Sequence, residues 1–63
     1  MKSYSYRFEI DDPEAIEEGE HTWNEMYQAE HRLEADRKAE ESAQMWSEIY
    51  DCTTTWTYLG IYM

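Results

Sequence analysis

Cysteine, glycine and positive charge are all scarce in this chain of 63 residues, and each scarcity excludes a class of protein. The single cysteine, Cys52, rules out an internal disulfide and favours a reducing compartment. With only two glycines there is no G-x-G-x-x-G motif and no P-loop, which excludes a phosphate-binding loop. Apolar runs are too short for a membrane span, and the N-terminus lacks the apolar core of a signal peptide. We therefore expect a soluble, cytoplasmic protein.

Negative charge and aromatic side chains are in excess. Fifteen Asp and Glu against five Lys and Arg give a formal net charge of −10, and 16% of the residues are aromatic. The aromatic content argues against disorder, because a solvated tail has no use for it. A chain of this length is expected to form a single domain, residues 1–63, with a thin core. Such an acidic domain is repelled by nucleic acids and anionic membranes and attracted to basic protein surfaces.

Two segments have the pattern of β-strands. In residues 4–10, aromatic or aliphatic side chains occupy every second position, which predicts a half-buried strand. Residues 53–63 are β-branched and aromatic and predict a second strand. Asp12 as N-cap and Pro13 at the first helical position predict that a helix follows the first strand.

The segment from Glu14 to Asp51 consists mainly of good helix formers and contains one breaker, Gly19. Its apolar residues form two helical stripes that are rotated from each other by about 160°. One straight helix cannot direct both stripes at one core, so we expect a turn near Glu34–Lys38. The predicted fold is α+β: strand, helix, helix, strand, with a two-stranded antiparallel sheet packed on a helical hairpin. The alternative is one long helix flanked by two strands.

Trp46 is the largest side chain of the second stripe. It lies at helical spacing from Ala39, Ala43 and Tyr50, the pattern of a large anchor among smaller neighbours. We expect it in the core, where its removal would unfold a small domain. If it is exposed instead, it is a candidate hot spot for binding a partner.

The predicted last strand leaves apolar side chains without cover. A two-stranded sheet has free edges that invite further pairing. In this arrangement Leu59, Ile61 and Met63 point away from the helices, where a short chain has nothing left to cover them. A homodimer through this strand or a bound partner would supply the cover, and the choice between monomer and homodimer stays open.

No pattern in the sequence predicts catalysis, a metal or a cofactor. Cys52 follows Asp51, whose carboxylate disfavours the thiolate. Glu18 and His21 have the E-x-x-H spacing of di-iron bundles, but the second such motif that a di-iron site requires is missing. A general acid needs a pocket that raises its pKa, which so short a chain does not readily enclose. We expect no catalytic residue, no metal and no cofactor, and hence a protein that is not an enzyme.

The acidic residues of the first half have no cations beside them. Between Phe8 and His31 there are nine carboxylates and no Lys or Arg. Unpaired carboxylates repel each other, and their density exceeds what solubility requires. The alternative interpretation is a solvated face that only keeps the protein soluble. The candidate partner-binding residues are Glu9, Asp11, Asp12, Glu14, Glu17, Glu18, Glu20 and Glu25. On a continuous helix, four of these would share one face: Glu14, Glu17, Glu18 and Glu25.

With its small size, the unpaired acids of residues 9–30 and an aromatic-rich remainder, the chain resembles the small acidic inhibitors that phages encode against host nucleases, in particular anti-CRISPR proteins and DNA mimics. The resemblance implies a non-enzymatic inhibitor in the host cytoplasm. It would bind a basic nucleic-acid-binding site of a CRISPR effector or another nuclease and block DNA access, without binding nucleic acid or a membrane itself. The alternative is a small protein-interaction module, or an antitoxin-like regulator, that binds a basic protein through its aromatic and acidic surface.

Overall fold

A long helix lies across one face of a three-stranded antiparallel sheet in the computed structural model, which describes residues 1–62. Met63, which the sequence analysis assigned to the last strand, lies outside the described residues. The elements in chain order are β1 (Lys2–Ile10), α1 (Pro13–Glu18), β2 (Thr22–Ala29), α2 (Arg32–Tyr50) and β3 (Thr54–Tyr62).

The α+β class is confirmed, but the two-stranded sheet on a helical hairpin is wrong, and so is one long helix between two strands. The segment expected to be helical contains the strand β2. No turn interrupts residues 34–38, because α2 is continuous there. The start of α1 at Pro13 is confirmed, and so are the first and last strands and their antiparallel pairing.

β1 is the central strand of the order β2-β1-β3. Both neighbours run antiparallel to β1, so β2 and β3 are parallel to each other and α2 crosses over β1 to connect them. Phe8 of β1 stands opposite Trp23 of β2 and Trp56 of β3, which brings three aromatic rings to the helix face of the sheet. A β-bulge between Ser5 and Tyr6 shifts the β1–β3 register.

The core is an aromatic sheet covered by alanines. The inward side chains of β1 are all buried, and Tyr6 and Phe8 are the largest side chains with no exposed surface. Facing them, α2 buries only Ala35, Ala39 and Ala43, which follow each other at one-turn spacing. Because alanine side chains are small, the helix lies close to the sheet and the aromatic rings fill the space between them.

Three polar contacts connect the aromatic side chains of the sheet to α2. The hydroxyl of Tyr6 donates a hydrogen bond to Asp36. The hydroxyl of Tyr27 donates to Oγ of Ser42 at 2.8 Å, and the indole Nε1 of Trp56 donates to the carboxylate of Glu40 at 2.8 Å. These aromatics therefore bury their rings and satisfy their polar atoms on the helix, which fixes where α2 lies.

The Tyr6 hydroxyl makes the fold sensitive to alkaline pH. Burial raises the pKa of Tyr6 above its ordinary value, and the hydrogen bond to Asp36 raises the pKa further. Since the pKa is higher in the folded state, stability is intact below the unfolded value of about 10 and falls as pH rises above it. Tyr6→Phe should remove most of this fall, and at neutral pH it should cost about 1.5–3 kcal/mol for the lost charge-assisted bond.

Urea unfolding, followed by circular dichroism between about pH 7 and pH 11, measures both effects. Burial also raises the pKa of Tyr27, so Tyr6→Phe should retain part of the alkaline loss. An unchanged pH dependence in Tyr6→Phe would show that Tyr6 is not the group responsible.

The other face of the sheet has no helix over it and is mainly polar. Arg7, Asn24 and Thr57 meet there across the three strands, which suits a face in water. The expectation that Ile61 points away from the helix is wrong, because the register shift in β3 pairs Ile61 with Tyr4, whose side chain faces α2. Leu59 and Ile61 remain 47% and 43% exposed, and a homodimer through this edge strand stays a prediction. Within residues 1–62, no helix has the length and apolar character needed to span a membrane.

Candidate functional site: an acidic end with an aromatic cleft

The ends of β1 and α2 and the starts of β2 and β3 meet at one end of the domain, where α1 connects β1 to β2. The backbone N–H of Ile10 donates to the carbonyl of His21 at 2.9 Å, joining the end of β1 to the start of β2. The N–H of Asp11 donates to the carbonyl of Thr53 at 2.9 Å, which brings in the start of β3. Segments distant in the sequence are therefore neighbours here.

Acidic residues collect at this end, which we call the acidic end. They come from the end of β1, from α1 and the adjoining loops, and from the end of α2: Glu9, Asp11, Asp12, Glu14, Glu17, Glu18, Glu20, Glu48 and Asp51. The opposite end, where β1 and α2 begin, carries most of the cations: Lys2, Arg32, Arg37 and Lys38. The other six acids lie outside the acidic end, as do all five Lys and Arg, so the fold concentrates the excess negative charge at the acidic end.

All the residues predicted to bind a partner lie at the acidic end except Glu25. Glu25 belongs to β2, opposite Tyr6, and accepts a hydrogen bond from Nε1 of Trp23 at 3.0 Å. The expectation that it shares a helical face with acids of α1 is therefore wrong. Sequence reasoning missed Glu48 and Asp51, because only the return of the chain through α2 brings them to this end.

Among the described residues, no Lys or Arg forms a salt bridge with the acidic end. The last turn of α2 contains no basic residue, so the negative end of the helix dipole adds to the carboxylates of Glu48 and Asp51. The one salt bridge within residues 1–62, between Arg32 and Asp36 at 3.5 Å, lies in the first turns of α2. The resulting negative field costs stability through repulsion and attracts a basic surface.

Gly19 ends α1 and places Glu20 beside the aromatic side chains. Its φ of 74° lies in the left-handed region that glycine adopts without a steric cost. The N–H of Gly19 donates to the carbonyl of Ile16 at 3.1 Å and that of Glu20 to the carbonyl of Ala15 at 2.9 Å, which closes the helix. The chain then turns directly into β2.

A cleft of about 460 Å³ opens at this end between β2 and the last turns of α2. Its walls are Gly19, Glu20, Thr22, Trp23, Trp46 and Tyr50. The ring of Trp46 is stacked on Tyr50 with centroids 5.6 Å apart, and it meets Trp23 edge-on at 5.8 Å. We call this the aromatic cleft.

Trp46 is not the core anchor that the sequence predicts. It is only partly buried, and it packs on Trp23 and Tyr50 at the border of the core rather than on the buried residues of β1. Its indole Nε1 has no hydrogen-bond acceptor among residues 1–62. The side chain contributes to this end mainly through its ring.

The chemistry available at the acidic end is that of carboxylates and aromatic rings. A second cavity of about 330 Å³ lies there, bordered by Glu9, Asp11, Ile16, Thr53 and Thr55. In the described part of the chain, no three His, Cys, Asp or Glu side chains are grouped to hold a metal ion. Partial burial and the carboxylate of Asp12 raise the pKa of Cys52, so its thiol stays protonated at neutral pH.

The chain is an α+β domain whose excess negative charge lies at one end, and the aromatic cleft opens at that same end. Comparison with protein-family models, curated proteins and solved structures finds no match to the chain.

Proposed function

We propose that this protein is a non-enzymatic inhibitor that inserts its acidic end into a basic nucleic-acid-binding site of a CRISPR effector or another nuclease and blocks access of DNA. It acts in the cytoplasm, that of the host cell if a phage encodes it. It binds neither nucleic acid nor membranes, because its net charge of −10 repels both.

The observation that carries this proposal is the segregation of charge. Acids from two separate stretches of the chain, residues 9–20 and 48–51, converge on one end, while the cations that could pair with them lie mostly at the other end. Folding stability alone favours the opposite arrangement, since like charges one helical turn apart destabilise a helix by a few tenths of a kcal/mol per pair. A surface of closely spaced carboxylates resembles the phosphates of a DNA strand, to which a basic channel is complementary.

The aromatic cleft supports a second candidate function. A small interaction module, or an antitoxin-like regulator, would bind a basic protein through aromatic contacts, with the acids only steering the approach. Salt distinguishes the two, because screening weakens contacts between exposed charges and leaves aromatic packing nearly unchanged. A DNA mimic should lose affinity steeply as salt rises, whereas the module should retain most of it.

Competition with DNA tests the inhibitor function directly. Purified CRISPR effectors and nucleases are loaded with fluorescent duplex DNA, the chain is added, and displacement is measured by anisotropy. Replacing Glu14, Glu17 and Glu18 together by Gln should raise the half-inhibitory concentration at least tenfold, about 1.4 kcal/mol.

The matched control replaces Glu30, Glu34 and Glu41 by Gln. All three are exposed and lie outside the acidic end, and both triple variants change the net charge by three units, from −10 to −7. The control should stay within about twofold of the wild type. Equal weakening by both variants would show that only total charge matters, and failure to displace DNA from any enzyme tested would refute inhibition.

A further inference from the structure

The aromatic cleft has the features of a site for a cation. Tyr50 is 47% exposed, and with Trp23 and Trp46 it lines a space that opens to solvent. Aromatic faces attract a cation through their negative quadrupole, and Trp attracts it most strongly. Glu20, an acidic residue, also lines this space, so the rings and the acid both favour a cationic occupant.

At the opposite end of the domain, a cationic side chain of this chain contacts both an aromatic ring and a carboxylate. There the guanidinium of Arg32 lies over the ring of Tyr58, 3.9 Å from its centroid, and also pairs with Asp36. The cleft also combines aromatic rings with an acidic residue. Residues 8–31 and 39–62 supply all its walls and contain no Lys or Arg that could make the corresponding cation–π contact.

The charges around the cleft also favour a cationic occupant. The cleft lies at the C-terminal end of the 19-residue helix α2, where the helix dipole is negative, and Tyr50 is the last helical residue. Glu18 precedes the wall residues Gly19 and Glu20, and Asp51 follows Tyr50. An anionic occupant is repelled from every side, and a neutral one gains nothing from these charges.

We infer that the aromatic cleft holds a single cationic side chain, of Arg or Lys, presented by the basic protein that the acidic end binds. The inference rests on the proposed function in that the partner is basic, and it identifies the point where recognition becomes specific. The carboxylates around the cleft attract the partner over a distance, whereas the rings select one side chain. Arg is the preferred occupant, because its planar guanidinium stacks on aromatic faces.

The test uses arginine alone, as N-acetyl-arginine amide, titrated into the intact protein. The indole N–H signals in ¹H–¹⁵N NMR spectra report on the site, since Trp23 and Trp46 line the cleft. Trp56 is an internal control, because its indole is hydrogen-bonded to Glu40 elsewhere on α2. Saturable shifts are expected for Trp23 and Trp46 and not for Trp56. N-acetyl-citrulline amide, the neutral analogue, should produce no saturable shift.

Substitutions at Tyr50 and Glu20 measure separately how much the aromatic ring and the negative charge contribute to arginine binding. Tyr50→Leu keeps an apolar side chain but removes the ring, and Glu20→Gln removes the charge, so each should weaken binding at least about fivefold. Tyr50→Phe keeps the ring and Glu34→Gln removes a distant charge, so both should bind within about twofold of the wild type. An unshifted Trp56 signal verifies that each variant is folded.

Equal shifts with the citrulline and arginine probes, or none with either, would overturn the cation site. Because the test contains neither DNA nor a nuclease, its result is independent of the competition experiment. Saturable arginine binding in a protein that displaces no DNA would support the cleft and refute the inhibitor function. The reverse pair of results would leave an acidic inhibitor without a cation site.

Discussion

Phe8→Ala is expected to leave the domain largely unfolded at ambient temperature. Phe8 lies in the central strand with no exposed surface, and its ring is stacked on Trp23 with centroids 5.7 Å apart. Removing a fully buried Phe costs about 3–5 kcal/mol through lost burial and the cavity left behind. A domain of this length has roughly 3–9 kcal/mol of stability in total, and a core as thin as this one places it in the lower part of that range, so little or none remains.

Thermal unfolding followed by far-ultraviolet circular dichroism measures this effect. Arg7→Ala is the matched control, because it truncates the neighbouring residue of the same strand, whose side chain lies exposed on the open face. The control should change stability by no more than about 0.5 kcal/mol. If Phe8→Ala melts cooperatively within a few degrees of the wild type, the aromatic layer is not the source of stability.

The strand β2 was missed because its aromatic residues fit a helix equally well. Trp23 and Tyr27 are four residues apart, a spacing that places two side chains on one face of either a helix or a strand. The position between them, 25, distinguishes the two structures, since only a strand returns to the same face after two residues. That position is Glu25, a charged residue and a helix former, and its inward place is stabilised by the indole of Trp23.

The two rotated apolar stripes of residues 14–51 correctly indicated a break in this segment. They showed that residues 14–51 do not form one straight helix, but the break was placed at Glu34–Lys38 instead of at Gly19 and before Arg32. Gly19, the single breaker in this segment, is where α1 ends. By contrast β1 was predictable because alternating aromatic and polar residues fit a half-buried strand, and β3 because its β-branched and aromatic residues favour a strand.

The acidic end was only partly predictable. The excess of acids over residues 9–30 is visible in the sequence, but their convergence with Glu48 and Asp51 depends on the path of the chain. The aromatic cleft was not predictable, because Trp23 meets Trp46 only when β2 is a strand that lies beside α2. A site built from separate elements becomes visible only once their arrangement is known.

The position of α2 connects the fold to the proposed function. The first part of the helix carries the alanines that rest on the sheet, and its last turns carry Trp46 and Tyr50 into the cleft. A change that lifts the helix from the sheet should therefore disturb both stability and the cleft. Ala39, at the centre of the alanine stripe, is the residue where such a change is expected to act.

Ala39→Leu is expected to lower the free energy of unfolding by at least about 2 kcal/mol. Ala39 is completely buried between the helix and the aromatic layer, and extra carbon atoms in a filled core cost about 1–3 kcal/mol. If α2 moves outward to make room, the bonds from Tyr6, Tyr27 and Trp56 to the helix lengthen together. The neutral bond from Tyr27 contributes about 1 kcal/mol and the two bonds to carboxylates about 1.5–3 kcal/mol each, so relaxation of the clash is itself costly.

The control places the same side chain elsewhere on the helix. Gln44→Leu is exposed and should change stability by no more than about 0.5 kcal/mol, as measured by urea unfolding. Ala39→Leu should also weaken arginine binding in the NMR titration, because a displaced α2 moves Trp46 and Tyr50 away from Trp23 and Glu20. Wild-type stability in Ala39→Leu would mean that a void separates helix and sheet. Lost stability with intact arginine binding would mean that the cleft is held by contacts within the acidic end and not by the seating of α2.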